Sequence, residues 1–441
     1  MKFLYPIAIE LFVCLHRLVA WFNPKAKQMV YGRATIDYQG LKTHTSNKQT
    51  WLFHCASLGE YEMALPMALG IIQENSARLV VFSFYSPSGY NHAKLPSGNF
   101  IKTYLPWDRS SSIRNFLNAI NPVGVVIIRY EFWLELLSQI NQRAIPVYLL
   151  GTSFREDQFL WKPLGSSWKS AISSARYIGV IKKTMVAIAQ KHGLSNVHWF
   201  GDPKFSRSIL RTQQVQSTVR STRSEPEQEL LKWMSNQNTL ILGSSWPAEE
   251  KFLLECLSNS EFQQLFFSNN WKILIAPHDI SENHCSNLLH QFAPFSPILF
   301  TEIHPPFGQR NPLANSTNTE NCQIIILNTI GQLALAYSAA QVAIIGGGFG
   351  KGLHNITEAL SFGVPVLFGP NHLKFPEAAD AIEAGVAASF NNSDALIRLL
   401  LPWISDPIHR KNIGTKAIQF TIEHQAKIDE FVKLTENHTV N

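Results

Sequence analysis

The stretch 342–378, VAIIGGGFGKGLHNITEALSFGVPVLFGPNHLKFPEA, constrains the fold more than any other. It opens on the apolar run 342–345, whose β-branched residues and glycine boundary predict a strand buried on both faces. Glycines follow at Gly346, Gly347, Gly348, Gly350 and Gly352, a density that lets a ligand lie against bare backbone. Asn355, with Glu358 three residues on, has the spacing of a helix start; Gly363 ends that helix and 364–368 is the next strand. Strand, glycine turn, helix and strand make one βαβ unit, and free N–H groups at the helix start would favour a phosphate. The spacing fits neither the G-x-G-x-x-G dinucleotide turn nor a P-loop, because Lys351 is followed by Gly352 rather than Ser or Thr.

The same punctuation recurs along the chain. Apolar runs at 50–54, 79–84, 101–105, 123–128, 147–150, 177–180 and 197–200 predict strands, with helices expected up to residue 72, over 110–120 and over 131–141. Residues 206–228 are rich in Ser, Thr, Arg and Gln and poor in large apolar side chains, as a linker would be. A second series of runs lies at 239–242, 272–276, 324–327 and 342–345, with the polar stretch 309–321 expected as a surface excursion. Alternation on this scale predicts parallel sheets covered on both faces. The expected class is α/β: two Rossmann-like parallel-sheet domains, 31–210 and 211–406, facing a central cleft. An N-terminal helix (1–30) precedes them, and C-terminal helices (407–441) can cross back onto the first domain. Ligands in such folds sit at strand C-terminal ends, where the polar signals of this sequence fall.

With 441 residues the chain has room for about two or three domains. Its net charge of +6 is spread without a long basic run, which points to anionic ligands or an anionic surface rather than to nucleic acid. Cys14, Cys55, Cys256, Cys285 and Cys322 form no C-x-x-C, so neither a disulfide framework nor a zinc site is expected. Near the N-terminus, residues 3–22 are largely apolar but are interrupted by Glu10, His16 and Arg17, and no removable signal peptide is expected. Leu4, Ile7, Leu11, Leu15 and Leu18 recur at near-helical spacing, which predicts an amphipathic anchor lying in or dipping into a membrane. An ordinary helix packed on the domain is the alternative. Lys25, Lys27 and Arg33 follow, and would suit an anionic cytoplasmic leaflet.

Several motifs now stand in order. They are H-x-x-S-x-G-E at 54–60, Pro106-Trp107-Asp108, Glu131-Phe132-Trp133, the turn 201–205, the Ser-rich turn ending in Glu249-Glu250, Pro277-His278, Gly331-Gln332-Leu333, and GGG…HN-x-x-E…GP…F-x-E over 346–377. Together they resemble the 3-deoxy-D-manno-octulosonic acid (Kdo) transferases of lipid A assembly, a GT-B glycosyltransferase family, from the N-terminal helix nearly to the end of the chain. The resemblance implies transfer of Kdo from CMP-Kdo to lipid IV-A with inversion, in lipopolysaccharide biosynthesis at the cytoplasmic face of the inner membrane. It places the proton acceptor at Glu60 and transition-state support at Glu131 and Lys204. CMP contacts fall on Pro277, His278, Gly331, Gln332, Leu333, Asn355, Ile356, Thr357 and Glu358, the phosphate turn on Gly346, Gly347 and Gly348, and the acceptor side on Ser57 and Gly59. Ser57 and Glu60 also have helix-capping spacing, so capping is the competing role for Glu60. For Lys204 the competing role is a solvated loop cation, and for Glu131 an acid at a helix start.

Four positions depart from the family pattern. His278 stands where many members have Arg, Gln332 replaces a usual Glu, Arg129 takes the first acidic position of an E-x-E-x-W run, and Trp246-Pro247 replaces the usual residues before the acidic pair. They mark a divergent branch. No D-x-D triplet occurs, so neither a catalytic metal nor any other cofactor is expected, although His54, His278 and His354 could ligate one. Two other readings share this sequence pattern: another GT-B sugar-nucleotide enzyme such as a 2-epimerase, and a non-catalytic sugar-nucleotide or lipid-binding protein.

Overall fold

The structure, a computed structural model, describes residues 4–218, 222–303, 322–350 and 352–436. The polar stretch 309–321, Phe3 and Lys351 therefore lie outside the described residues. The chain forms two compact units, one running up to Arg207 and again from His424, the other holding Ser208–Glu423.

The first unit is built on seven strands: β1 (Thr50–Cys55), β2 (Leu79–Phe84), β3 (Phe100–Tyr104), β4 (Gly124–Ile128), β5 (Val147–Thr152), β6 (Tyr177–Val180) and β7 (Val197–Trp199). All pair in parallel, in the order β3-β2-β1-β4-β5-β6-β7. Side chains alternate across a strand, and β1 shows the result: Leu52 enters one apolar core, while Trp51, Phe53 and Cys55 enter the other. Both faces are therefore covered, which is why these strands read as continuous apolar runs. The second core closes with the returning segment, where Phe431 packs edge-on to Trp51 and Tyr148 at 6.4 and 5.4 Å. That residue belongs to the last described helix, Ile428–Glu436, whereas the preceding helix, Pro407–His424, belongs to the second unit apart from its final residue.

The second unit repeats the plan with β8 (Asn238–Ser245), β9 (Trp271–Pro277), β10 (Ile298–Leu299), β11 (Ile324–Ile326), β12 (Val342–Ile345), β13 (Val366–Phe368) and β14 (Ala387–Ser389). Its order is β10-β11-β9-β8-β12-β13-β14, again all parallel. The strand order reverses between β1 and β4 in the first sheet and between β8 and β12 in the second, where β11 also inserts between β9 and β10. Sheets of this kind bind ligands beyond the strand C-termini at such a reversal.

Three local expectations need correction. The linker expected over 206–228 is mostly helical, with helices at Pro203–Ser217 and Glu225–Met234. Its hydroxyls are buried and paired: Ser208 Oγ lies 2.6 Å from Thr357 Oγ1, and Thr212 Oγ1 lies 2.8 Å from Ser361 Oγ. The helix expected to start at Glu131 starts at Leu134, leaving Glu131 in the turn after β4. Arg33 is not a surface charge. It is buried, stacked on Trp107 and Tyr85 at 4.3 and 4.8 Å, and burial pushes its guanidinium down to about 10.

The N-terminal helix, Leu4–Val19, divides its two faces between packing and exposure. Ile9 and Val13 are buried, and Tyr5 Oη donates to Asp108 Oδ2 at 2.5 Å. Leu4, Ile7, Leu11, Leu15 and Leu18 stay 57–67% exposed, and Trp21 and Phe22 beyond them are more so. Among the described residues, no helix is long and apolar enough to cross a membrane.

Candidate active site

In the first unit two carboxylates gather where the strand order reverses. Ser57, just beyond β1, caps the helix Leu58–Glu74, and the Glu60 amide donates to Ser57 Oγ at 3.4 Å. Glu60 Oε2 accepts the Ala56 amide, one residue before the cap Ser57, so one of its oxygens serves the backbone although not in a capping box. Gly59 is open: a Cβ there would meet only Ser57 Oγ, at 3.9 Å. Glu131 follows β4, the strand next to β1, and accepts the Trp133 indole N–H at 3.0 Å. The ring of that tryptophan stacks on Tyr85, centroids 5.2 Å apart.

Their environments split the two acids. Burial pushes Glu60 up to about 7; the Ala56 amide opposes this and the Glu131 charge adds to it. Burial would raise Glu131 too, but the neighbouring His54, with the Trp133 indole, outweighs it and holds Glu131 below the usual range. Two neighbouring carboxyls driven apart in this way are the signature of an acid–base pair.

Arg129 links this pair to the turn that carries Lys204. Its backbone is left-handed at φ +66°, and its guanidinium donates to Gly151 O at 3.1 Å and to buried Asp202 Oδ1 at 2.9 Å. The Lys204 amide donates to the same oxygen at 2.9 Å. The departure at Arg129 thus has a local partner: the acid that shapes the Lys204 turn. Lys204 itself is half-buried rather than freely solvated.

In the second unit, Trp246 (after β8), His278 (after β9) and His354 (after the glycine turn) stack on one another. The Trp246–His278 and His278–His354 centroids are 4.6 and 4.7 Å apart, and Trp246 Nε1 donates to His354 Nε2 at 2.9 Å. That bond places the neutral imidazole's proton on Nδ1, and burial, then His278, lowers His354 from its ordinary value. Pro277 ends β9, and the His278 amide donates to Ser245 O at 3.0 Å.

The glycine turn is explained by the protein's own backbone. At Gly347, φ is +90° and a Cβ would sit 2.2 Å from Gly352 O; at Gly348 it would sit 2.5 Å from Gly369 N. Gly346 continues the ladder by donating to Gly243 O at 2.9 Å. The helix after the turn is only Thr357–Ser361, so its dipole is a weaker anion site than the sequence suggested. Its start is held by Asn355, whose Oδ1 accepts from the Thr357 amide and hydroxyl at 3.1 and 2.8 Å, while Ile356 takes the cap position. Glu358 is half-buried and helps raise the buried Tyr337 phenol, after burial itself. Gly331 and Gln332 precede the short helix that begins at Leu333, and Gln332 Oε1 is buried without a hydrogen-bond partner among the described residues, as a ligand-facing acceptor would be. No group of three or more His, Cys, Asp or Glu among the described residues could hold a metal ion; His278 and His354 stack with Trp246 instead.

Comparison with known proteins bears on this arrangement. The family model for 3-deoxy-D-manno-octulosonic-acid transferase (kdotransferase) matches residues 32–207, the span that holds Glu60, Glu131 and Lys204. The 3-deoxy-D-manno-octulosonic acid transferase of Haemophilus influenzae is 25% identical over 97% of this chain and 95% of its own length. The matched span and the near-full-length likeness together support a Kdo transferase. The enzyme of the same name from Bordetella pertussis is 22% identical over 84% of this chain and 83% of its own. Among solved structures, UDP-GlcNAc 2-epimerase from Neisseria meningitidis superposes with a TM-score of 0.63 at 12% identity, covering 88% of this chain and all of its own. That from Methanocaldococcus jannaschii gives 0.55 at 12%. These likenesses show the GT-B type of fold and nothing about the reaction of this Kdo transferase relative.

Sequence reasoning singled out both acids but gave no role to the residues around them. His54 was visible as the one imidazole in the buried run TWLFHC, and a polar side chain there demands a partner. The Arg129–Asp202 pair and the Trp246–His354 bond join residues far apart in sequence and left no local signal.

Proposed function

We propose that this protein is an inverting glycosyltransferase that moves Kdo from CMP-Kdo to lipid IV-A, in lipopolysaccharide assembly at the cytoplasmic face of the inner membrane. The observation that carries the reading is Glu60, poised near neutrality beside an ionised Glu131 where the strand order reverses. Glu60 takes the proton of an acceptor hydroxyl as that oxygen bonds to the anomeric carbon of Kdo. The bond from that carbon to the phosphate oxygen breaks on the opposite side, and its electron pair leaves with CMP. Glu131 and Lys204 support the charges that develop.

In the second unit, Pro277, His278, Gly331, Gln332, Leu333 and the segment Asn355, Ile356, Thr357 and Glu358 hold CMP. Glu358 accepts ribose hydroxyls, and Gly346, Gly347 and Gly348 form the wall beside the phosphate. Ser57 and Gly59 lie on the acceptor side. The exposed leucine stripe rests on the membrane that carries the acceptor, with Lys25 and Lys27 toward anionic headgroups. No metal is required, since CMP carries a single phosphate.

The test is to supply CMP-Kdo and lipid IV-A to the purified chain, with and without chelator, and to weigh the lipid. A gain of whole Kdo units in both arms is expected. No gain, with UDP-GlcNAc epimerised instead, would overturn the reading. Loss of transfer with chelator, restored by a divalent cation, would overturn its metal-free part.

A further inference from the structure

His54 has no part in the reaction as described, yet its environment is among the most demanding in the first unit. It lies on β1 with no solvent exposure, between the apolar side chains of that strand. Its Nδ1 is 3.0 Å from Ser83 Oγ and 3.2 Å from Ser83 O, on the paired residue of β2. Its Nε2 is buried, has no hydrogen-bond partner among the described residues, and lies 3.8 Å from Glu131 Oε2.

Only some proton placements suit this geometry. Were Nε2 a bare lone pair, it would face a carboxylate oxygen, acceptor against acceptor, in a site with little water to intervene. With the proton on Nε2, Ser83 Oγ–H can donate to Nδ1, and the N–H points at Glu131. With both nitrogens protonated, Nδ1–H donates to Ser83 O and the imidazolium pairs with Glu131. Both acceptable states put a proton between His54 and Glu131.

We propose that His54 is a positioning residue for the Glu60–Glu131 pair: braced through Nδ1 by Ser83, it holds an Nε2 proton against Glu131 and so decides which carboxylate stays ionised. This rests on the reading of Glu60 as the base. A carboxylate fixed as an anion beside Glu60 keeps Glu60 basic enough to take a hydroxyl proton near neutral pH. The other titratable groups around the pair are Cys55 on β1, Tyr85 near Glu131, and Arg129 with its partner Asp202. None of these has a hydrogen bond to His54 among those described.

The test uses the full chain carrying carbon-13 at the glutamate carboxyls, titrated alongside the pH dependence of transfer. In His54→Phe, the Glu131 titration is expected to move up by about one pH unit, roughly tenfold in proton affinity, and the Glu60 titration and the acid limb of kcat/KM to move down. His54→Gln, whose amide N–H can stand in for Nε2–H, is expected to undo most of both shifts. In a Glu131→Gln background, His54→Phe is expected to move nothing further. A folded His54→Phe with unmoved titrations, or with the same shift in the Glu131→Gln background, would overturn the proposal. Should His54→Phe not fold, Ser83→Ala loosens the brace and must move each titration in the direction given for His54→Phe; unmoved titrations there also overturn it. The carboxyl titration needs no substrate. Absent transfer would therefore count against the proposed reaction, and unmoved titrations against His54 alone.

Discussion

Glu60 is asked to do two things that pull against each other. At the helix start it accepts the Ala56 amide, and as a base it must carry charge in a half-buried place. Native Glu60 holds its proton to about 7, against an ordinary 4.5. Between those values the native state binds the extra proton, so this group's effect on stability grows worse as pH climbs through that window. Glu60→Gln keeps an acceptor for Ala56 and removes the charge. It is expected to match the wild-type melting temperature at pH 5 and to exceed wild-type stability at pH 8 by about 2 kcal/mol, after allowance for solvent. The same change is expected to lower the transfer rate by about 10²–10⁴. Were capping its whole role, the variant would keep its rate. For activity the sign is opposite: the base works only once deprotonated, so the rate is expected to fall as pH drops below about 7.

Among the elements, the N-terminal helix matches the alternative of an ordinary helix packed on the domain. Ile9 and Val13 pack it on the first unit, while the leucine stripe faces outward. Replacing Leu11, Leu15 and Leu18 together by Ser is expected to leave the melting temperature within about 2 °C, because these side chains are exposed in the native fold. It is also expected to release the protein from anionic vesicles in a flotation assay. Unchanged flotation would show that the stripe does not bind lipid. The strands were the most legible elements, since a strand buried on both faces leaves an unbroken apolar run such as 79–84 or 342–345. The stretch 206–228 misled because Ser208 and Thr212, which look like linker residues, spend their hydroxyls on Thr357 and Ser361. Glu131 misled in the other direction: its acidic character suited a helix start, but the Trp133 indole and His54 keep it in the turn. Glu60 and Glu131 were legible through family motifs, whereas the split between them depends on burial and on His54, which no spacing reports.

At the scale of the whole molecule, each unit is completed by residues distant in sequence. The first unit ends at Arg207 but draws its last helix from beyond His424, and Phe431 fills a core that also contains Trp51 and Tyr148. Phe431→Ala is expected to destabilise that unit by about 3–5 kcal/mol, read as a lower first melting transition. A loss below about 1 kcal/mol would mean that the returning helix is ornamental. In the second unit, Gly347 and Gly348 are pressed against Gly352 and Gly369 so tightly that even a methyl group would collide. A hinge needs slack, and this bend has none. Whatever docks there meets a socket already cast, and must find its fit by shape on arrival rather than by drawing a flap down over itself.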